Sequence, residues 1–253
     1  MEEVIVQMDH GVVVIQINRP ESRNAINLSV ARSIAQAMNE LDSRSDLMVG
    51  IITGAGGSFC AGMDLKAFVR GEIPVIDGSG FGGITDKPPR KPLIAAVEGY
   101  ALAGGFEIVL SCDLVVAAKT ARFGIPEVRR GLVASSGGLL RLPRRLPYHL
   151  AMELALTGEM LTASRAHEHG LVNRLVGEGQ ALEAARTLAQ QIAQNGPLAV
   201  QASKQVIANS HAWPIEEMFQ RQAQYTGHIH KSQDAIEGAK AFAAKRTPVW
   251  RGE

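Results

Sequence analysis

Two glutamates and the glycine-rich turns near them are the residues of this chain best suited to chemistry. Glu107 closely follows the pair Gly104 and Gly105, and Glu127 directly follows Pro126. Two carboxyl groups whose surroundings push their pKa values apart can divide the work of proton transfer, because one takes a proton from water while the other supplies one to carbon. The sequence therefore suggests an acid–base pair, provided that the fold brings these two side chains together.

Main-chain amides near the same residues are candidate oxyanion donors. The apolar run 92–97 leads into the glycine turn, and residues 106–112 are typical of a helix. The Gly104 amide would lie at the start of that helix, where N–H groups lack partners and the peptide dipoles add a partial positive charge. Residues 58–66 place small residues before another helix start, so the Met63 N–H is a second candidate. Two such donors on one thioester oxygen would stabilise an enolate.

The elements that must position these groups follow from hydrophobic periodicity, which predicts an α/β sheet and then a series of helices. Two β-branched runs, residues 4–8 and 12–17, flank Asp9-His10-Gly11 and predict a hairpin. We expect further strands at residues 49–53, 92–97 and 114–118, and helices at 28–41, 64–70, 139–146, 150–156, 163–169, 181–194, 198–208, 215–226 and 234–244. The chain then divides into an α/β core, residues 1–195, and a helical C-terminal region, residues 196–253.

Composition excludes several functional classes. The chain has 253 residues, of which 46% are hydrophobic, and a formal net charge of +1. So small a charge gives no general attraction to nucleic acid, and we interpret Arg141, Arg144 and Arg145 as a solvated helix face. Two cysteines, Cys60 and Cys112, are too few for a disulfide framework, and the N-terminus lacks a signal-peptide pattern, so we expect a cytoplasmic protein. No apolar stretch is long enough for a membrane helix, so no membrane partner is expected.

Several further patterns carry no function in this interpretation. Residues 71–89 are rich in Gly and Pro, which predicts a mobile loop near a ligand entrance. Residues 78–83 match the dinucleotide pattern G-x-G-x-x-G, but no strand precedes them and prolines follow where a helix should begin. The pairs His167/His169 and His228/His230 are two residues apart and would point to different faces of a helix, so no metal site is predicted. Cys60 has no obvious partner histidine and is interpreted as a packed small residue.

Taken together, three motifs resemble the crotonase, or enoyl-CoA hydratase/isomerase, family. They are Ala61-Gly-Met-Asp-Leu65, Gly99-Tyr-Ala-Leu-Ala-Gly-Gly-Phe-Glu107 and Phe123-Gly-Ile-Pro-Glu127, in the family's order and spacing. Each motif is weak alone, but the combination is specific, and the resemblance extends over nearly the whole chain. It implies a crotonase-like α/β fold, a ββα superhelix whose helical C-terminal region packs into a trimer, commonly a dimer of trimers. The partners it implies are an acyl-CoA substrate and further copies of the chain, as a homotrimer or homohexamer.

The resemblance also assigns roles to residues. It places the oxyanion donors at the Met63 and Gly104 amides, the base that activates water at Glu107, and the proton donor to C2 at Glu127. Arg23, Ala25, Ala61, Gly62, Asp64 and Leu65 lie in stretches that resemble those receiving the adenine and pantetheine of coenzyme A. No separate cofactor is implied, because coenzyme A is part of the substrate. Since both glutamates are present, the chain resembles the hydratases, and reversible hydration of a 2-enoyl-CoA is the expected activity.

One departure from the family pattern leaves the exact reaction open. Many hydratases have Pro and then Gly or Asp where this chain has Ala134 and Ser135, so the acyl-group preference or the reaction can differ. Residues 151–174 and the tail also resemble carnitinyl-CoA dehydratases, which use the same two glutamates. Double-bond isomerisation and retro-aldol chemistry stay open as well, as does an acyl-CoA-binding or scaffold protein that has lost turnover.

Overall fold

The protein, described here by a computed structural model of residues 2–253, combines a mostly parallel sheet with surrounding helices. Its strands are β1 Val4–Asp9, β2 Val12–Ile17, β3 Val49–Gly54, β4 Val75–Ile76, β5 Gly80–Phe81, β6 Leu93–Val97, β7 Tyr100–Leu102, β8 Leu114–Ala118, β9 Arg122–Gly124, β10 Leu161–Thr162 and β11 Arg174–Val176. Its helices are α1 Leu28–Ser43, α2 Leu65–Val69, α3 Gly104–Ser111, α4 Gly138–Arg145, α5 Tyr148–Thr157, α6 Ala163–Glu168, α7 Ala181–Ala193, α8 Pro197–Asn209, α9 Met218–Thr226 and α10 Gln233–Ala243.

The main sheet has six strands in the order β1-β2-β3-β6-β8-β11. The β1/β2 hairpin is antiparallel, as predicted, and every later pair is parallel. Alternate residues of the strands face two hydrophobic layers, because successive side chains of a strand point to opposite faces. On one face Ile51 and Ile94 pack with α7 through Ala185, and on the other Ile52 and Val97 join the larger core that contains α1 and α3.

A smaller sheet, β10-β9-β7, carries the segments on which the two glutamates depend. β7 pairs with β9 in parallel, with Ala101 opposite Phe123 and Leu102 opposite Gly124. β7 runs into α3, while β9 runs into a 3-10 helix, Pro126–Arg130. This pairing therefore brings the start of α3 next to the turn that bears Glu127.

The C-terminal helices are attached to the sheet at a few polar points. Lys204 of α8 donates its Nζ hydrogens to the Lys91 carbonyl oxygen at 2.9 Å and to Asp113 Oδ2 at 2.6 Å. Trp250 donates its indole N–H to the Gln194 carbonyl oxygen at 2.8 Å, so the end of the chain folds back over the start of this region. The expected division at residue 195 stays a prediction, with these bonds joining its two sides.

Local structure differs from the sequence-based prediction at three places. Residues 71–89, predicted as a mobile loop, contain the β4/β5 hairpin and a buried stretch that includes Phe81, Ile84 and Thr85. The helix of the glycine turn begins at Gly104 rather than Phe106. The short strands β7, β9, β10 and β11 were absent from the prediction, because runs of two or three residues show no periodicity to detect.

Candidate active site

The turn between β7 and α3 holds its backbone in a conformation that L-residues rarely adopt. Ala103 has φ 51° and ψ −129°, and its N–H donates to the Gly124 carbonyl oxygen at 2.8 Å. Such strain costs on the order of 1–3 kcal/mol and persists only where the surroundings enforce it. The result is that α3 begins abruptly at Gly104. No hydrogen-bond acceptor within residues 2–253 faces the Gly104 N–H, which stands in the positive field of the helix start.

The segment that bears Met63 approaches this helix start closely. Gly62 has φ +99°, and a Cβ placed on it would lie 3.2 Å from the Gly104 nitrogen and 3.1 Å from the Leu102 carbonyl oxygen. Only glycine fits so close to another backbone at a positive φ. The Met63 N–H, like that of Gly104, has no acceptor in the described part of the chain. The structure thus brings the two predicted donor segments together and leaves both N–H groups free for a ligand oxygen.

A parallel bridge fixes the first predicted binding segment alongside the second. The Ile26 N–H donates to the Gly62 carbonyl oxygen at 2.8 Å, and the Ala61 N–H donates to the Arg23 carbonyl oxygen at 3.0 Å. Arg23 itself is left-handed, with φ 52°, and its side chain reaches the surface, whereas Ala25 is buried. The two segments therefore form one ridge beside the free amides, with the Arg23 side chain on its outer side.

Asp64 is engaged in holding this ridge. Its Oδ1 accepts hydrogen bonds from the Lys66 and Ala67 amides and so caps α2, while its Oδ2 forms an ion pair with Arg19 at 2.9 Å. Burial alone would raise the pKa of Asp64, but the bonds from Ala67 and Arg19 hold it below its ordinary value. The neighbouring Leu65 side chain is half exposed and available to a ligand. Asp64 is thus a support of the segment, with its carboxylate already paired.

Glu107 lies one turn into α3 and is 3% exposed. One of its oxygens, Oε1, accepts hydrogen bonds from the Ser136 amide at 2.7 Å and the Gly138 amide at 2.9 Å. Burial raises the pKa of this carboxyl above its ordinary value, while those two amides and the charge of Arg141 oppose the rise. Its second oxygen, Oε2, accepts no hydrogen bond within residues 2–253. That oxygen is free to bind water.

Glu127 has a different environment, in the first turn of the 3-10 helix after β9. Pro126 starts this helix and Gly131, with φ 66°, ends it, so the sequence confines the carboxyl to a short rigid turn. Its Oε2 is buried without a hydrogen-bond partner. Burial raises the pKa of Glu127 to about 7, and the charge of Glu107 adds to the rise. Of the two carboxyl groups, Glu127 is therefore the more readily protonated at neutral pH, and Glu107, with two amide donors, is the more readily ionised.

Several residues of this site were not predicted from the sequence. The amides of Ser136 and Gly138 hold Glu107, and the Phe81 ring packs so closely on Gly104 that a Cβ there would collide with it. Arg141, predicted as part of a solvated face, is half-buried beside Glu107. The Gly137-Gly138 pair at the start of α4 is a sequence signal that could have indicated free amides here.

The arrangement can polarise a carbonyl oxygen and move protons on nearby carbon and oxygen atoms. Cys60, beside the amides, takes no part as a nucleophile, because complete burial raises its thiol pKa to about 12. Within residues 2–253, no three His, Cys, Asp or Glu side chains are grouped to hold a metal ion. In the same range, no helix combines the length and apolar character needed to cross a membrane.

Two surface cavities lie elsewhere, on the C-terminal helices. The larger, of about 620 Å³, is lined by polar side chains that include Asp234, Glu237 and Arg246. The smaller, of about 200 Å³, lies beside the stacked rings of Trp213 and Tyr225. Across residues 2–253, the buried side-chain oxygen that lacks a partner belongs to Glu127 and not to either cavity, so the glutamate site stands apart in its chemistry.

Comparison with known proteins gives a consistent result. The model of the enoyl-CoA hydratase/isomerase family matches residues 7–253. A carnitinyl-CoA dehydratase from Salmonella typhi is 41% identical over 247 residues, covering 94% of each chain. The crystal structure of an enoyl-CoA hydratase from Mycobacterium marinum matches with a TM-score of 0.98 at 56% identity, and that of a carnitinyl-CoA hydratase from Mycobacterium avium with 0.80 at 42%, each covering 100% of both chains. The fold expected from the sequence is confirmed.

Proposed function

The chain belongs to the enoyl-CoA hydratase/isomerase family, as its motifs indicated, and from this premise we propose that it adds water reversibly across the 2,3 double bond of a 2-enoyl-CoA. One observation carries the proposal. Two buried or half-buried carboxyl groups with unequal hydrogen bonding, Glu107 and Glu127, lie on neighbouring turns beside two unpaired main-chain amides. Hydration of a conjugated thioester needs these parts: a base for water, an acid for carbon and donors for the carbonyl oxygen.

The proposed reaction starts at the thioester oxygen, which accepts hydrogen bonds from the Met63 and Gly104 amides. These bonds draw electron density from C3, and the loss of one such donor costs about 3–4 kcal/mol of transition-state stabilisation. Glu107 takes a proton from water as the water oxygen bonds to C3, which converts the thioester to an enolate. The C2–C3 bond becomes single in this step, and Glu127 then gives its proton to C2, which restores the thioester carbonyl from the enolate. Both glutamates act from the same side, so the addition is syn.

Each turnover leaves Glu107 protonated and Glu127 ionised, so one proton must pass back before the next cycle. Dehydration uses the same groups in reverse, with Glu127 as base and Glu107 as acid. The coenzyme A moiety is assigned to the ridge of Arg23, Ala25 and residues 61–65, where the Arg23 guanidinium suits a phosphate and Leu65 suits apolar atoms. No cofactor beyond the coenzyme A of the substrate enters this proposal.

A second candidate activity is dehydration of carnitinyl-CoA. The relatives from Salmonella typhi and Mycobacterium avium favour it, since their names describe carnitinyl-CoA enzymes at 41% and 42% identity. Hydration of a 2-enoyl-CoA is the activity that we put first, because the enoyl-CoA hydratase from Mycobacterium marinum is more similar to this chain, at 56% identity.

We also propose that the protein assembles into a homotrimer or homohexamer in the cytoplasm. The stretch from residue 128 to residue 160 exposes a concentration of large apolar side chains, which is typical of a protein interface. They are Val128, Leu132, Val133, Leu139, Leu140, Tyr148, Met152, Leu156 and Met160. The two unpaired, buried cysteines suit a reducing compartment. Sedimentation of a stable monomer would rule out the assembly.

The test of the activity follows the absorbance of crotonyl-CoA, which falls when the conjugated double bond is hydrated. We expect Glu107→Gln and Glu127→Gln each to lower kcat by about 10²–10⁴, the usual contribution of a general acid or base. Binding of coenzyme A should persist in both variants. Glu153→Gln is the matched control, because Glu153 is an exposed glutamate that pairs with Arg165. An unchanged rate in either site variant would remove that glutamate from the mechanism.

Parallel assays separate hydration from the competing activities. The same enzyme preparation is given carnitinyl-CoA and a 3-enoyl-CoA, with the products identified by mass and chromatography. A higher kcat/KM for carnitinyl-CoA than for crotonyl-CoA would replace our first candidate by the second. Conversion of the 3-enoyl thioester to its 2-enoyl isomer without hydration would indicate an isomerase. Binding of acyl-CoA without any conversion would indicate a protein that has lost turnover.

A further inference from the structure

Arg141 lies beside the glutamate site but has no part in the hydration steps described above. It lies in the first turn of α4, where its own amide donates to the Gly137 carbonyl oxygen at 2.9 Å. Its guanidinium group donates to the Thr85 carbonyl oxygen, and Thr85 is fully buried in the segment that follows the β4/β5 hairpin. The side chain thus joins two parts of the chain that are 56 residues apart.

The guanidinium group also lies over the turn that holds Glu107. Gly137 has φ +96°, and a Cβ on it would collide with Arg141 Nη1, so glycine makes room for the arginine. The amides on either side of Gly137, those of Ser136 and Gly138, are the two that donate to Glu107 Oε1. Movement of Arg141 would therefore disturb the aim of both donors.

The charged groups around Arg141 and Glu107 favour the ionised form of Glu107. Glu107 is faced by Arg141 from α4 and by Glu127 from the 3-10 helix, and Glu127 in turn is faced by Arg130. The remaining charged groups near Arg141 are Asp86, Arg144 and Arg145. Arg141 is thus the cation that acts on Glu107, and it lowers the pKa of that carboxyl against the effect of burial.

We propose that Arg141 is the positioning residue of Glu107: it ties the 134–138 turn to Thr85, keeps two amides aimed at one carboxylate oxygen, and holds Glu107 as the ionised member of the pair. This inference rests on the proposed function, because the ionised member is the one that takes the proton from water.

The test compares pH profiles of kcat/KM for crotonyl-CoA in the wild type, Arg141→Met and Arg141→Lys. The methionine variant keeps much of the packing of the side chain but loses the charge, so the pKa of Glu107 should rise. We expect the acidic limb of its profile to move up by about one pH unit, with little change in KM. Lysine keeps the charge but loses the guanidinium geometry, so it should return most of the shift. Arg144→Met, an exposed arginine of the same helix, should leave the limb in place.

A merely structural role would give another result. If Arg141→Met lowered kcat equally at every pH, or if lysine restored nothing of the limb, the proposed effect on ionisation would be wrong.

A readout without turnover separates this inference from the proposed activity. Carboxyl carbons are labelled with 13C-glutamate, and the Glu107 resonance is identified by its loss in Glu107→Gln. An upward shift of its titration in Arg141→Met supports the inference even if no enoyl-CoA is hydrated. An unshifted titration overturns it even if hydration is fast.

Discussion

Acidic side chains of the C-terminal region and of the candidate active site differ in their hydrogen bonding and in the direction of their pKa shifts. In the C-terminal region, Glu237 accepts hydrogen bonds from Arg246 at 2.6 and 2.9 Å and from the Val249 amide at 2.9 Å, and the Arg246 bonds lead the causes that lower its pKa to about 2. In the candidate active site, Glu127 has a buried oxygen with no partner within residues 2–253, and burial raises its pKa to about 7.

The difference shows what each region is built for. The carboxylates near the chain end accept hydrogen bonds from the last residues of the chain, and these bonds hold those residues against α10. In the candidate active site, Glu127 Oε2 has no hydrogen-bond partner among the described residues, and only one oxygen of Glu107 accepts hydrogen bonds from them. The other oxygens are therefore available for proton transfer. Perturbed pKa values of this kind cluster at functional sites, and they are maintained at a cost in stability. The following changes test that contrast, from the largest expected effect to the smallest.

Apart from the loss of kcat already expected in the two glutamate variants, the largest effect is expected from Gly62→Ala in the candidate active site. Its Cβ would lie 2.9 Å from the Ala103 side chain and 3.2 Å from the Gly104 nitrogen, so the two amide donors must separate. Loss of one oxyanion donor lowers kcat by about 10²–10³. Gly57→Ala is the matched control, because Gly57 also has a positive φ, +74°, but has open space around it. Equal losses of kcat in the two variants would show that backbone strain, and not the amides, is responsible.

A second, smaller effect is expected in the C-terminal region. Asp234 is buried and accepts hydrogen bonds from the Arg251 amide at 2.7 Å and the Gly252 amide at 2.9 Å. Asp234→Ala removes both bonds and should lower the free energy of unfolding by about 1–2 kcal/mol, measured by urea denaturation. The hydration rate should not change in the folded fraction. A fall in kcat would show that the tail takes part in the chemistry.

The third effect is the change in stability expected from Glu127→Gln, whose loss of kcat is described above: this variant should have a higher free energy of unfolding. The folded pKa of Glu127, about 7, lies above its ordinary value of 4.5. The stability that the protonated carboxyl contributes is therefore complete below pH 4.5 and is lost as the pH rises through 7. Glutamine does not ionise, so at pH 8 the variant should be more stable by about 1 kcal/mol, a figure reduced because the side chain is partly exposed.

Urea denaturation of both proteins at pH 5 and pH 8 measures this effect. The advantage of the glutamine variant should be present at pH 8 and shrink toward zero at pH 5. An advantage of equal size at both pH values would show that ionisation is not its cause.

The smallest effect is expected from Ala103→Gly, in the strained turn before α3. Glycine adopts φ 51° without strain but loses more backbone entropy on folding, so the two terms partly cancel. We expect a rise of about 0.5 kcal/mol in the free energy of unfolding, with kcat within about twofold of the wild type. Thermal denaturation and the crotonyl-CoA assay check both values. A loss of stability would mean that the turn is not strained in the folded protein.

The fold was predictable from the sequence to the extent that it depends on local patterns. The hairpin of β1 and β2, the strands β3, β6 and β8 of the main sheet and most helices follow from hydrophobic patterns in the sequence. The pairing of β7 with β9, which places Ala101 opposite Phe123, could not be predicted, because strands of three residues are too short to show a periodic pattern. Yet this pairing joins the turns that bear the two glutamates.

For the candidate site, the sequence indicated candidate residues but not the groups that surround them. The roles of Glu107, Glu127, Met63 and Gly104 came from a resemblance and stay proposals. The support of Glu107 by the Ser136 amide spans 29 residues, and the bond from Arg141 to Thr85 spans 56, separations over which one sequence carries no signal. The segment 71–89 was interpreted as mobile from its glycine and proline content, although Phe81 is buried there.

The two amides on Glu107 Oε1 have a consequence for the timing of catalysis. Since that oxygen is occupied by Ser136 and Gly138, a proton arriving from water resides on Oε2 and departs from the same atom. Glu107 then has one oxygen that can carry the transferred proton, and it must lose that proton before it can deprotonate another water. In heavy water, Glu127 would therefore deliver one deuteron to C2 in each cycle, and Glu107 would release one deuteron from Oε2.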